Sequence, residues 1–157
     1  DATDMRLFHR LGASRLARTV CAAPSGMAAK GLYGKIPGVA LSDFDHARLV
    51  IIWGCNPSVS GIHLVPHLRR ARALGARLVV IDPRCTPLAR GADLHLAPRP
   101  GTDLPLALAM IRWLFENGHA DTEFLDRHAS GADELRRRAA AWSSQRAAQV
   151  CGVEAVA

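Results

Sequence analysis

The sequence has no run of the roughly 18 apolar residues that a membrane-crossing helix requires, so no segment reads as a membrane span. Its first residues, DATDMRLFHRLG, lack the basic-then-apolar pattern of a secretory signal and also an initiating Met, which suggests a chain beginning inside a longer protein. Aromatic residues are scarce, 5% of 157, too few for the stacking platforms that grip single-stranded nucleic acid. The four cysteines, Cys21, Cys55, Cys85 and Cys151, form no CxxC and no zinc or iron–sulfur spacing. Nor do they suggest a disulfide framework; as reduced thiols they suit a cytoplasmic protein, with a periplasmic parent left open. Gly54 and Gly61 stand too far apart for a GxGxxG fingerprint. No nucleophile–base arrangement and no usefully spaced carboxylate pair occurs, so no catalytic residue is assigned. His63 and His67 could share a helix face, but Pro66 lies between them and no third ligand accompanies them. They read as solvated or capping histidines, and no metal ligand is assigned.

What is present is an ordinary globular composition, 49% hydrophobic and 22% charged, enough to bury a core in one domain spanning 1–157. The net charge of +6 invites a nucleic-acid reading. However, the arginines are spread along the chain, and the densest run, Arg136 to Arg138, follows Glu134 in a helical pattern. That run reads as a solvated helix face, and no nucleic-acid partner is expected. A local basic rim for a phosphate-bearing ligand remains compatible with the charge.

The chain is organised around residues 48–103. An apolar run, Leu49 to Trp53, stops at Gly54 and enters Cys55-Asn56-Pro57-Ser58-Val59-Ser60-Gly61. A helical stretch over about 62–74 follows, then a second apolar run, Leu78 to Ile81, ending on Asp82-Pro83-Arg84. A short strand-like run over 93–96 leads into Pro100-Gly101-Thr102-Asp103 and the most apolar helix of the chain, 103–118, whose circumference predicts burial. Short apolar strands alternating with helical periods predict an α/β fold, three-layered and Rossmann-like, with a mainly parallel sheet. Outside this stretch, helices are expected over about 1–11, 121–128 (Phe124 and Leu125 inward) and 131–142 (Leu135, Ala139 and Trp142 inward). Another starts at Ser143 or Ser144, and residues 152–157 read as the beginning of one more.

Three loops at three strand ends would line one edge of such a sheet, where open α/β sheets bind ligands. Gly54 permits a tight turn, Asn56 offers an amide donor and acceptor, and the following helix N-terminus attracts anions; the alternative is an ordinary βα turn. Asp82 is placed to accept from ribose hydroxyls, with Arg84 within reach of a phosphate, or else it is a turn aspartate. Asp103 either caps its helix or accepts paired hydrogen bonds from the N1–H and exocyclic amine of guanine, a donor pair that adenine lacks.

Taken in order, W-G-x-N-P after a strand, V-V-I-D-P-R, and A-D-L-H-L-x-P-R-P-G-T-D before an apolar helix resemble the molybdopterin oxidoreductases. Members such as formate dehydrogenases, nitrate reductases and dimethyl sulfoxide reductase relatives carry molybdenum or tungsten on molybdopterin guanine dinucleotide. The resemblance runs from about Cys21 to His128. It implies that Gly54, Cys55, Asn56, Pro57, Ser58 and Ser60 form the loop at a dinucleotide's phosphates. It further implies that Asp82, Pro83 and Arg84 lie at its ribose, and that Gly101, Thr102 and Asp103 form the guanine corner. Cys21, in T-V-C-A-A-P-S-G, matches a cofactor-contacting cysteine of the family. Members are several times longer, and their metal ligand and any iron–sulfur cluster precede this region. The resemblance therefore implies a cofactor-binding piece without a catalytic centre, partnered by the parent's other domains and by electron-transfer subunits. The competing reading is a stand-alone, non-catalytic nucleotide-binding module.

Overall fold

The computed structural model describes residues 2–14 and 22–155. The sequence reading takes 1–157 as one domain; the contacts cluster into two compact units, Asp1–Val39 and Ala40–Ala157. The first unit holds α1 (Ala2–Arg10) and α2 (Ala22–Tyr33). The helical spacing of Met5, Leu7, Phe8 and Leu11 yields α1 as expected, but all four side chains are exposed.

The second unit is an α/β fold built on three strands, β1 (Leu49–Trp53), β2 (Arg77–Ile81) and β3 (Leu94–Leu96), in spatial order β1-β2-β3 and parallel throughout. Leu49 pairs with Arg77 and Trp53 with Ile81, so β1 and β2 end level. A 3-10 helix (Leu41–His46) leads into β1. After β1 come α3 (Pro57–Ser60) and α4 (Leu64–Ala73), and after β2 comes α5 (Pro87–Arg90). Beyond β3 the chain is helical: α6 (Asp103–Glu116), α7 (Thr122–His128), α8 (Ala132–Ala139) and α9 (Ser144–Cys151).

Because side chains alternate across a strand, β2 feeds two cores. Leu78 and Val80 join Val50, Ile52, Leu68 and Ala89 beneath α4 and α5. On the other face Ile81 meets Leu106 of α6 and Cys151 of α9, with Trp53, Val79 and Leu96 around them. Two helical layers thus enclose one sheet, the three-layer arrangement that the alternating pattern predicts.

Several local expectations are corrected. The helix expected over 62–74 begins only at Leu64, because residues 57–60 close a separate turn, α3, whose end at Gly61 hands over to an irregular step. The α6 helix, expected to be buried all round, buries Leu106, Leu108 and Ala109 but exposes Leu104, Met110, Trp113 and Leu114. Phe124 and Leu135, expected inward, are exposed. The helix expected over 131–142 stops at Ala139. Residues 152–155 do not start a helix: Gly152 ends α9 with φ of +70°, a left-handed terminator that glycine adopts without a Cβ penalty.

Two carboxylates tie the layers together. His67 of α4 lies 2.9 Å from Asp45 through Nδ1, and Arg70 Nε donates to the same carboxylate at 3.1 Å. At the foot of the sheet Asp93 accepts the Leu78 N–H at 2.6 Å, joining β3 to β2 ahead of their regular pairing. Desolvation pushes the Asp45 pKa upward, but the bonds from Arg70 and His67 outweigh it and hold it below 3.8. For Asp93 the Leu78 amide is the main cause, and it too stays below 3.8. A depressed folded-state pKa adds stability that is complete above the unfolded value and disappears as pH falls through the folded one. An Asp45→Asn/Asp93→Asn double variant is therefore expected to show a shallower loss of thermal stability below pH 3.8 than the parent chain, as followed by melting against pH.

Candidate functional site

Parallel strands that end level put their exit loops on one edge, and the backbone bonds show how close those loops run. The Gly54 N–H donates to Ile81 C=O at 2.8 Å, and the Asp82 N–H donates to Leu96 C=O at 3.1 Å. The first and third loops are joined by the Trp53 indole, whose Nε1 donates to Asp103 Oδ1 at 2.7 Å. Gly54, Asp82 and Asp103 are thus brought to one edge, as expected for a shared site. Cys21 lies outside the described residues.

In the first loop Gly54 takes φ of +61°, the left-handed turn that lets β1 stop abruptly. Cys55 is exposed with a free thiol. Pro57 is buried at the start of α3, and the Ser60 hydroxyl donates to the Asn56 carbonyl at 3.2 Å. Ser58 is half-buried on the same turn. The expectation of an anion-attracting helix end is corrected here: four residues sum too little dipole, and α4 starts well beyond the loop. Asn56 is the unusual residue. Its Oδ1 is buried with no hydrogen-bond partner, in a class of atoms that proteins almost always pair. Exchanging the amide oxygen and nitrogen would leave a donor unpaired instead, so one polar atom of this loop awaits a partner either way.

In the second loop Asp82 is only 3% exposed. Its Oδ1 accepts the Arg84 N–H at 2.8 Å, a turn in which the side chain mimics the backbone and folds Asp82-Pro83-Arg84 back across the edge. The Arg84 Nε forms an ion pair with that carboxylate at 3.6 Å, on a side chain that is 74% exposed. Pro83 is exposed at the bend. The loop is supported from β3, where His95 Nε2 meets the Asp82 carbonyl at 2.9 Å.

In the third loop Gly101 has φ of +84°. The Thr102 hydroxyl donates to Arg99 C=O at 2.7 Å, and Thr102 holds the cap position of α6 without a side-chain cap. The capping role expected for Asp103 is therefore corrected. Asp103 is the first helical residue, and its carboxylate serves Trp53 instead. Cys151 latches the loop from α9: its carbonyl accepts the Arg99 N–H at 2.7 Å and its buried thiol donates to Thr102 C=O at 3.3 Å.

Trp53, His95 and Cys151 were not singled out from the sequence as site residues. For the first two a signal existed, since Trp53 and His95 sit inside the W-G-x-N-P and A-D-L-H-L stretches at strand ends. Among the described residues no group of three or more His, Cys, Asp or Glu is arranged to hold a metal ion, and no helix is long and apolar enough to cross a membrane.

Residues 6–153 match the molybdopterin oxidoreductase family profile. The chain belongs to that family. This molybdopterin oxidoreductase domain is 32% identical over 153 residues to "Probable oxidoreductase YoaE" of Bacillus subtilis, covering 98% of the chain and 22% of the relative. It is 31% identical over 120 residues to the assimilatory nitrate reductase catalytic subunit of the same organism, covering 75% of the chain and 17% of the relative. Formate dehydrogenase H of Escherichia coli is 30% identical over 116 residues, 74% of the chain and 16% of the relative. Among solved structures, acetylene hydratase from Pelobacter acetylenicus superposes with a TM-score of 0.75 at 26% identity, over 86% of this chain and 18% of that one. The molybdopterin oxidoreductase domain thus spans about a fifth of the length of these relatives.

Proposed function

We propose that this domain holds the guanine dinucleotide part of a molybdopterin cofactor within a longer oxidoreductase. The observation that carries the reading is the convergence of three strand-exit loops on one edge, with the Asn56 amide oxygen buried there and unpaired. A family that carries molybdopterin needs such a place, and the residues present fit one. Arg84 offers an exposed cation for a phosphate, and Asn56 awaits a hydroxyl or amine donor. In the third loop, Asp103 keeps acceptor capacity beyond its bond to Trp53, because each carboxylate oxygen has two lone pairs. The cofactor, with its molybdenum or tungsten, would supply the chemistry of the reaction when bound, and this chain's residues would bind and orient it. Cys21 remains part of the proposal through the family motif alone.

The metal ligand, any iron–sulfur cluster and the surfaces for electron-transfer subunits are assigned by this reading to other parts of the longer protein. The free Cys55 and Cys85 thiols suit a cytoplasmic compartment. The reaction does not follow from the fold, since one structural neighbour is named a hydratase and other relatives a nitrate reductase and a formate dehydrogenase.

Calorimetric titration with GDP and ADP tests the base assignment. Hydrogen bonds to a charged acceptor contribute about 1.5–3 kcal/mol each before solvent losses, so the wild type is expected to prefer GDP by about tenfold or more. Asp103→Asn keeps an oxygen for Trp53 but turns an amide donor toward the guanine donors, and should lose the preference with little change in melting temperature. Equal affinities in the wild type, with Asp103→Asn lowering only the melting temperature, would reduce Asp103 to a structural acceptor for Trp53.

A further inference from the structure

Asp103 is tied to the end of β1 by an indole. The Trp53 Nε1 donates to Asp103 Oδ1 at 2.7 Å. Asp103 is exposed at the first position of α6, and an exposed aspartate with no cap to make ordinarily exchanges among several rotamers. Among the described residues the indole is the one side chain hydrogen-bonded to this carboxylate. The indole has little such freedom itself. It packs on Ile81, Leu106 and Cys151, at the level ends of β1 and β2, and its ring N–H can only donate. From α9, Cys151 also holds the peptide just before Asp103, its thiol donating to Thr102 C=O at 3.3 Å. The carboxylate and the backbone it stands on are thus both fixed by the same small core.

We infer that Trp53 is a positioning residue that sets base selectivity at the third loop, by holding the Asp103 carboxylate in one orientation. The inference rests on the reading of Asp103 as the guanine acceptor and names what makes that acceptor selective. Two parallel hydrogen bonds, from N1–H and the exocyclic amine, require both carboxylate oxygens in the plane of the base. A carboxylate free to rotate meets that plane only part of the time, and ordering it on binding costs affinity for the one base that needs it. The indole occupies one lone pair of Oδ1 and restrains the plane, leaving Oδ2 and the second lone pair of Oδ1 for a ligand. Ordering is then completed during folding rather than on binding, which is what a supporting shell does for a recognition group. Selectivity depends on this restraint more than overall affinity does, because the sugar and phosphate contacts are proposed for residues of the first and second loops. A bond that only stitched β1 to α6 would affect both nucleotides alike, or neither.

Calorimetric titration of GDP and ADP into the full-length protein, prepared without cofactor, provides the test. Trp53→Phe keeps an aromatic ring on Ile81 and Leu106 but removes the N–H. The wild-type preference for GDP, about tenfold or more, is expected to fall to about twofold or less while ADP affinity stays the same. Trp113→Phe removes an indole that lines an apolar groove beside Leu49 and Ile51, and should leave the preference intact. Benzothienylalanine at position 53 repeats the deletion at nearly constant shape, with sulfur in place of the N–H, and serves if the phenylalanine variant melts early. A preference for GDP that survives both replacements would overturn the inference and leave the guanine reading standing. A wild type that does not distinguish the nucleotides would overturn both. An equal loss of GDP and ADP affinity in the position-53 variants would also overturn the inference, reducing the indole to a structural stitch.

Discussion

Leu78→Ala is expected to destabilise the unit spanning 40–157 by about 2–5 kcal/mol, the usual range for truncating a buried leucine. Leu78 is 2% exposed in the central strand and contacts the core shared by Val50, Ile52, Leu68 and Val80. Its neighbours belong to β1, β2 and α4, so no single helix can slide inward to fill the space, which favours the upper part of the range. Denaturant unfolding followed by circular dichroism measures the loss. The effect should extend to the edge where the three loops meet, since β2 sets the spacing between the first and third loops. A variant within 1 kcal/mol of wild type would mean that the sheet repacks freely and that its edge is not a rigid platform.

Asp82 should show a different signature. Asp82→Ala removes the buried acceptor of the Arg84 N–H and leaves that donor without its partner, at an expected cost of about 1–3 kcal/mol. Asp82→Asn retains an acceptor oxygen at nearly the same size and should cost much less. Both variants are expected to weaken GDP and ADP alike, because this loop is proposed to meet the sugar and phosphate rather than the base. Thermal melts paired with calorimetry separate the two effects. Should Asp82→Ala unfold no earlier than Asp82→Asn, the buried turn would not depend on the side chain. A loss of GDP affinity alone would move Asp82 from the ribose to the base.

The strands were legible because their signal is local. Leu49 to Trp53 and Leu78 to Ile81 are β-branched or bulky apolar runs closed by Gly54 and by Asp82-Pro83, and the sheet follows those limits to within a residue. The α6 helix was legible as a helix but not in its burial, since periodicity counts apolar residues without showing what stands opposite them. Met110, Trp113 and Leu114 face a groove. Asp103 shows the same limit in polar form. A carboxylate opening a helix reads as a cap, yet its partner is an indole at the end of β1, fifty positions away in the chain. Cys151 was noted only as a thiol, because nothing local relates it to Thr102. The short turn of α3 was missed because Pro57, the serines and Gly61 make residues 55–61 read as a polar loop, and four residues are too few to show a helical period.

The buried amide oxygen of Asn56, without a hydrogen-bond partner, has a thermodynamic consequence for the fold. A buried polar atom without a partner costs the fold about 1–3 kcal/mol. A ligand that supplies the missing donor therefore relieves strain already present as well as adding contacts. Each wrong occupant, matching the shape but not the hydrogen bond, leaves the debt in place. Under the proposed function, selectivity at this position would therefore be set partly by whether an occupant supplies that donor, and not by shape alone.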